Sequence, residues 1–160
     1  MLRLAVLEDF DFFCEIKNEK YNIFWTGGAK PIRENLWRFF HECIKHMDEL
    51  EARKIYIICD EHKNKIGYGY LDPKQDECEW SVAIKQTYCN CGYGKASLAE
   101  AMEIARSTGF KNMYAWVRED NEASLCMFRS HGFKQTQQYK DVYIPMLGKE
   151  VGMYRLERVL

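Results

Sequence analysis

Glu77, Glu79, Gly92, Gly94 and Lys95 lie close together in this 160-residue chain. Carboxylates can take a proton from a nucleophile, and a Gly-x-Gly at the mouth of a helix can cradle a phosphate. The stretch 78–108 supplies the framework for both. Cys78, Trp80, Val82 and Ile84 alternate with Glu79, Ser81 and Ala83, the two-residue period of a half-buried strand. Glu77 and Glu79 therefore share the face opposite Trp80 and Val82, and neighbouring carboxylates on one face suit a general base. From Lys95 the period changes. Leu98, Ala101, Met102 and Ala105 fall at helical spacing among helix-favouring residues, and Gly109 supplies a left-handed stop. The first turn of such a helix leaves its N–H groups unpaired, and glycine lets a phosphate approach the backbone, so the stretch reads as an anion site.

Neither common nucleotide motif fits. A P-loop needs glycine five residues before Gly94 and Ser or Thr after the lysine, where this chain has Cys89 and Ala96. A dinucleotide fingerprint needs a third glycine where Ser97 stands, and the strand predicted at 112–117 runs into Arg118 rather than an acidic residue.

The remaining elements are predicted from pattern. Residues 1–7 read as a first strand. Glu8 and Asp9 open a helix through about Lys17, with Phe10, Phe13, Cys14 and Lys17 at helical steps and the acids suited to the helix dipole. Residues 18–30 read as a loop holding Tyr21, Phe24 and Trp25 before Gly27-Gly28; these aromatics either cap a binding cleft or anchor the core. Pro31 starts a helix whose stripe is Ile32, Leu36, Phe39, Phe40, Cys43, Met47 and Leu50. His41 and His46 on it are five apart, not the four a metal pair needs, and read as surface residues. Residues 54–59 and 65–71 form a hairpin stopped by Asp72-Pro73. Asn121 caps a short helix ending near His131-Gly132, and 133–143 and 149–159 are closing strands split by Pro145 and Gly148. The fold class is α/β, a mixed sheet flanked by helices in the order β-α-α-β-β-β-α-β-α-β-β, and 1–160 is one domain.

Composition narrows the function. A hydrophobic content of 47% marks a globular chain, and a net charge of −1 argues against a nucleic-acid or membrane surface. No apolar run approaches the roughly 20 residues of a membrane span, and the start lacks a signal-peptide core. Seven cysteines, an odd number set mostly in apolar patterns, predict reduced thiols in a cytoplasmic protein. Cys89-x-Cys91 lacks the further ligands of a zinc site, so no metal is expected; a helix N-terminus beside these thiols would favour reactivity.

Residues 91–95, Cys-Gly-Tyr-Gly-Lys, resemble the core of the coenzyme loop of the GNAT superfamily of acetyl-CoA-dependent N-acetyltransferases. Cys89 stands where that family usually has Arg or Gln, and Asn90 where glycine is common. A second segment, from Asn121 to Gly132-Phe133, is similar to the family's Asn-x-x-Ala-x-x-x-Tyr-x-x-x-Gly-Phe, with Ser124 for alanine and Phe128 for tyrosine. The predicted element order is also that of the GNAT fold across nearly the whole chain.

The resemblance implies direct acetyl transfer from acetyl-CoA to a primary amine. Asn90, Cys91, Gly92, Tyr93, Gly94 and Lys95 would hold the pyrophosphate. Val82, Ala83 and Ile84 would pair with the pantetheine arm, and Asn121 and Phe128 would lie beside it. Glu79 would be the general base. Phenylalanine at 128 has no proton to give the departing thiolate, which leaves Tyr88, Tyr93, Tyr139 and Cys126 as alternative donors. Phe24 and Trp25, with Tyr21, Tyr139 and Tyr143, would stack on a small-molecule acceptor such as an amino sugar or sugar nucleotide. The family commonly dimerises, so a homodimer is admitted. Two other classes stand beside this one: a catalytically weak acyl-CoA-binding or sensing module, and a small nucleotide-binding domain using residues 92–95.

Overall fold

The computed structural model describes residues 1–27 and 29–160; Gly28 of the glycine pair lies outside the described residues. Among them, seven strands form one mixed sheet: β1 (Leu2–Leu4), β2 (Lys54–Cys59), β3 (Lys65–Lys74), β4 (Glu77–Ile84), β5 (Asn112–Arg118), β6 (Lys134–Ile144) and β7 (Lys149–Val159). The spatial order is β1-β2-β3-β4-β5-β7-β6, and the one parallel pair is β4–β5. Helices α1 (Phe10–Asn18), α2 (Lys20–Thr26), α3 (Arg33–Lys45), α4 (Tyr93–Thr108) and α5 (Glu122–Ser130) flank it.

Alternation along the central strands separates two cores. Cys78 and Trp80 join Leu98, Ala101 and Met102 of α4 and Leu125 and Phe128 of α5 on one face. Tyr68 and Ala83 join Phe13, Ile16, Leu36 and Phe40 of α1 and α3 on the other. Trp80 is fully buried, and its indole occupies the notch left by Gly69 on β3. Gly109 ends α4 in the left-handed conformation, as its position predicts.

Four expectations need correction. Residues 18–30 are not all loop. α2 forms there, although its aromatic and β-branched residues favour helix only weakly, because tertiary bonds hold it. The Glu19 carboxylate accepts from the Gln86 amide (3.1 Å), and Asn22 donates to the Ile84 carbonyl (3.2 Å). The helix after Pro31 ends at Lys45, leaving Ile32 and Leu50 exposed rather than on a buried stripe. Lys54 donates to the carbonyls of Met47 and Glu49 and folds that segment back instead.

β3 does not stop at Asp72-Pro73. It runs on to Lys74 against β4, past its last pair with β2 at Leu71, where one edge is free and a proline can be tolerated. The fourth correction concerns the opening of the first helix, since Leu7–Asp9 form a short 3-10 turn and α1 begins at Phe10, with Asp9 at its N-cap. Asp9 is buried beneath α1, accepting from Arg3 (2.6 and 2.7 Å), Lys65 (2.9 Å) and the Val6 amide (3.0 Å). Burial opposes that charge, but these donors outweigh it and hold the carboxyl well below the usual carboxylate range.

A Cβ at Gly69 would overlap the Trp80 ring, which has no room to withdraw. Gly69→Ala is therefore expected to cost about 1–3 kcal/mol by overpacking. Chemical denaturation of the variant against the wild-type protein checks this.

Candidate active site

β4 and β5 pair over only three registers, Glu77↔Asn112, Cys78↔Met113 and Glu79↔Tyr114. Each strand then follows its outer neighbour: β4 stays on β3 to Ile84↔Gly67, and β5 stays on β7 to Arg118↔Met153. The inner edges diverge, and the backbone groups of residues 80–84 are left without a strand partner on that side. The fork opens a cleft of about 700 Å³.

The start of α4 lies at one end of it. Asn90 (φ 63°) and Gly92 (φ 88°) both adopt the left-handed conformation, and no side chain caps the helix. Its first-turn N–H groups are thus available to an anion, in contrast to α5, where Asn121 Oδ1 accepts from the Ser124 amide (3.1 Å). Gly94 has a second constraint. A Cβ there would come 3.0 Å from Met127 Sδ, so Gly94 also lets α4 approach α5.

Of the residues singled out from the sequence, Glu79, Val82, Ala83, Ile84, Asn90, Gly92, Gly94, Lys95, Asn121, Phe128 and Trp25 line the cleft. Cys91 and Tyr93 do not: Cys91 is exposed, and the Tyr93 hydroxyl donates to Glu61 (2.9 Å), which pushes it up to about 12. Phe24 is also outside. Its carbonyl accepts from Arg118 (2.6 Å), and its ring and that of Trp25 each lie 4.8 Å from the guanidinium. Tyr139 and Tyr143 are exposed on β6 away from the cleft, so the expected stacking platform reduces to Tyr21 and Trp25. Among the alternative proton donors Tyr88 lines the cleft, whereas Cys126 is exposed on α5.

Glu77 and Glu79 are not a coupled pair. Glu77 accepts from Arg155 (2.8 Å), whereas Glu79 lies 3.8 Å from Lys74. Glu79 stands at the vertex of the fork and is the one carboxylate among the lining residues. The helix-terminus argument for a reactive Cys89 also fails, because burial pushes that thiol up. Phe128 is buried against Phe133, ring centroids 5.0 Å apart, and carries no hydroxyl into the cleft.

Several lining residues had no sequence signal. Arg118 is buried and forked onto Asp120 (2.9 and 2.7 Å), and its bond to the Phe24 carbonyl ties α2 to the end of β5. Lys17, Tyr68 and Tyr70 line the wall formed by α1 and β3. Lys17 was legible only as one position of an amphipathic helix. No group of three or more metal-ligating side chains is present among the described residues.

A mixed sheet forked at its parallel pair, with an uncapped helix start at the fork and a carboxylate at its vertex, defines an acyl-transfer domain of the coenzyme A-dependent kind. Residues 11–133 match the model of the Acetyltransferase (GNAT) family. The chain belongs to that family and is an N-acetyltransferase, with acetyl-CoA as its cosubstrate. The [ribosomal protein bS18]-alanine N-acetyltransferase of Haemophilus influenzae is 23% identical over 136 residues, 84% of this chain and 82% of that protein. The spermidine N-acetyltransferase of Vibrio cholerae, solved with CoA and spermine, superposes with a TM-score of 0.87 at 16% identity, covering 99% of this chain and 94% of that one. A phosphinothricin acetyltransferase of Sinorhizobium meliloti, solved with acetyl-CoA, gives 0.81 at 21% identity, covering 100% and 88%.

Gly92 tests the helix-start site more cleanly than Gly94, because nothing lies within 4 Å of a Cβ there and Asp tolerates the left-handed conformation. Gly92→Asp is expected to weaken acetyl-CoA binding by about tenfold or more through charge repulsion. Calorimetric titration beside a thermal melt checks that binding falls while the fold persists.

Proposed function

We propose that this chain transfers the acetyl group of acetyl-CoA to the primary amine of a small-molecule acceptor by direct attack, with Glu79 as general base. One observation carries the reading: the fork leaves the backbone of residues 80–84 open and places Glu79, the cleft's single lining carboxylate, at its vertex. The thioester supplies a carbonyl activated toward amines. The backbone of Val82, Ala83 and Ile84 pairs with the pantetheine arm as a missing strand would. The loop from Asn90 through Cys91, Gly92, Tyr93 and Gly94 to Lys95 holds the pyrophosphate, with the backbone of Cys91 and Tyr93 contributing rather than their side chains. Asn121, its side-chain oxygen already engaged by Ser124, offers its amide N–H groups to the coenzyme, and Phe128 packs beside the arm.

Glu79 takes a proton from the acceptor's ammonium, the free amine attacks the carbonyl carbon, the C–S bond breaks, and the second proton that nitrogen sheds on becoming an amide passes through water to the thiolate. The departing thiolate is only modestly basic, with a reference pKa of about 8.5, so water can protonate it and a phenol at 128 is dispensable. Trp25, with Tyr21, forms the acceptor wall and suits a sugar ring; Phe24 supports it from behind as a partner of Arg118. Free cysteines, three of them buried in the two cores, support a reducing, cytoplasmic setting.

Phe128 favours one second reading, a weakly catalytic acyl-CoA-binding or sensing module. Calorimetric titration with acetyl-CoA, CoA, ATP and NAD, followed by turnover on a broad amine panel, separates the two. Glu79→Gln is expected to lower kcat/KM by about 10²–10⁴ while acetyl-CoA still binds. Activity within a few-fold of wild type would remove Glu79 from the mechanism, and tight binding without turnover on any amine would favour the sensing module.

A further inference from the structure

Beyond Glu79, the charged residues lining the cleft are all cations: Lys17, Lys95, Arg118 and Lys140. Lys95 stands at the helix-start site, and Arg118 is matched by Asp120. Lys140 lies over the Trp116 ring, 4.1 Å from its centroid, on an exposed stretch of β6. Lys17 is different. It projects from the last turn of α1, half-buried, with its ammonium 5.2 Å from the ring centroids of Tyr68 and Tyr70 and 5.7 Å from that of Phe13. Among the described residues no carboxylate lies within ion-pair distance of it; burial, and secondly Arg53, bring it down to about 8. Arg53 itself is bonded to Asp72. The Tyr70 ring beneath Lys17 carries a buried hydroxyl that makes no protein hydrogen bond among the described residues.

An aromatic surround partly compensates a desolvated ammonium, but an anion of suitable geometry compensates it far better. The register fixes where that anion would lie. Tyr70 pairs with Ser81 and Asp72 with Glu79, so Lys17 covers the same face of the sheet that carries the Glu79 carboxylate. One two-residue step along β4, about 7 Å, separates the Ser81 position from Glu79. A molecule presenting its ammonium to Glu79 would thus present a group a few atoms away to Lys17.

We propose that Lys17, set over the rings of Tyr68 and Tyr70, forms an acceptor subsite for an anionic group, and that the acceptor is a primary amine which also bears a carboxylate or phosphate-like group. This rests on the transfer reading above and narrows it. A polyamine, all positive, finds one carboxylate and several cations in this cleft, and a neutral amino sugar leaves Lys17 uncompensated.

The test uses compound pairs that differ only in the anion: methionine and methioninamide, γ-aminobutyrate and its amide, glucosamine 6-phosphate and glucosamine. Each is titrated calorimetrically into the CoA-saturated protein, where no chemistry occurs, and then assayed for turnover with acetyl-CoA. In at least one pair the anionic member should bind about tenfold or more tighter, as expected for a charged hydrogen-bonded contact. Lys17→Met should abolish that preference through KM rather than kcat, and Lys17→Arg should retain much of it. Preference in an amino-acid pair identifies a carboxylate acceptor; preference in the sugar pair identifies a phosphate acceptor. No binding, equal binding within every pair, a preference that survives Lys17→Met, or a loss expressed in kcat alone would overturn the subsite. Preferential binding of the anion with no acetylation of any amine would leave the subsite standing and refute the transfer reading.

Discussion

Once β4 and β5 part beyond Glu79 and Tyr114, their facing backbone groups have no partners in the sheet. Buried unpaired amides and carbonyls are costly, so a fork of this kind persists only where something prevents its closure. Here each strand is held from outside. β4 is fixed to β3 along its whole length, with Trp80 keyed into the notch at Gly69, and β5 is fixed to β7 through Arg118 and Met153. The close approach of α4 and α5, where Gly94 meets Met127, fills the wedge below. The cleft is the geometric remainder of these attachments, and an extended coenzyme arm is what its free strand edge can accept.

The opposite wall has another origin. α2 has few strong helix formers and is held by three polar ties: Glu19 to the Gln86 amide, Asn22 to the Ile84 carbonyl, and Arg118 to the Phe24 carbonyl. Those ties join the far end of β4 to the end of β5 through one short helix. The fork is thereby bridged at its open side, and Trp25 lines the cleft while Phe24 packs on the arginine outside it. One buried cation therefore sets both the span of the cleft and the identity of its aromatic wall.

Charge is distributed unevenly within this frame. Glu79 stands alone at the vertex, cations occupy the coenzyme end and the acceptor walls, and Glu77 is withdrawn onto Arg155. A single carboxylate next to a cation-rich cleft suits anionic substrates at both ends and leaves one group free for proton transfer. The family resemblance accounts for the coenzyme end. The acceptor end belongs to this chain.

The sequence by itself determined what depends on local periodicity and local backbone chemistry. The alternation through Trp80 and Val82, the helix after Gly94, the stop at Gly109, the cap at Asn121 and the boundaries of β2 and β7 all follow from rules acting within a few residues, and the structure has them. With the two family-like segments, that was enough for the fold, the enzyme class and the coenzyme. Tertiary structure alone decided what depends on residues far apart in the chain. α2 exists because of bonds to residues 84, 86 and 118; Asp9 is buried because Arg3 and Lys65 reach it; and the register of β6 on β7 decides that Lys140, Val142 and Ile144 meet the cleft while Tyr139 and Tyr143 take the other face. Lys17 shows the limit most clearly. In sequence it is one basic residue on an amphipathic helix, and only the packing of α1 against β3 sets it over two tyrosine rings at the edge of the cleft.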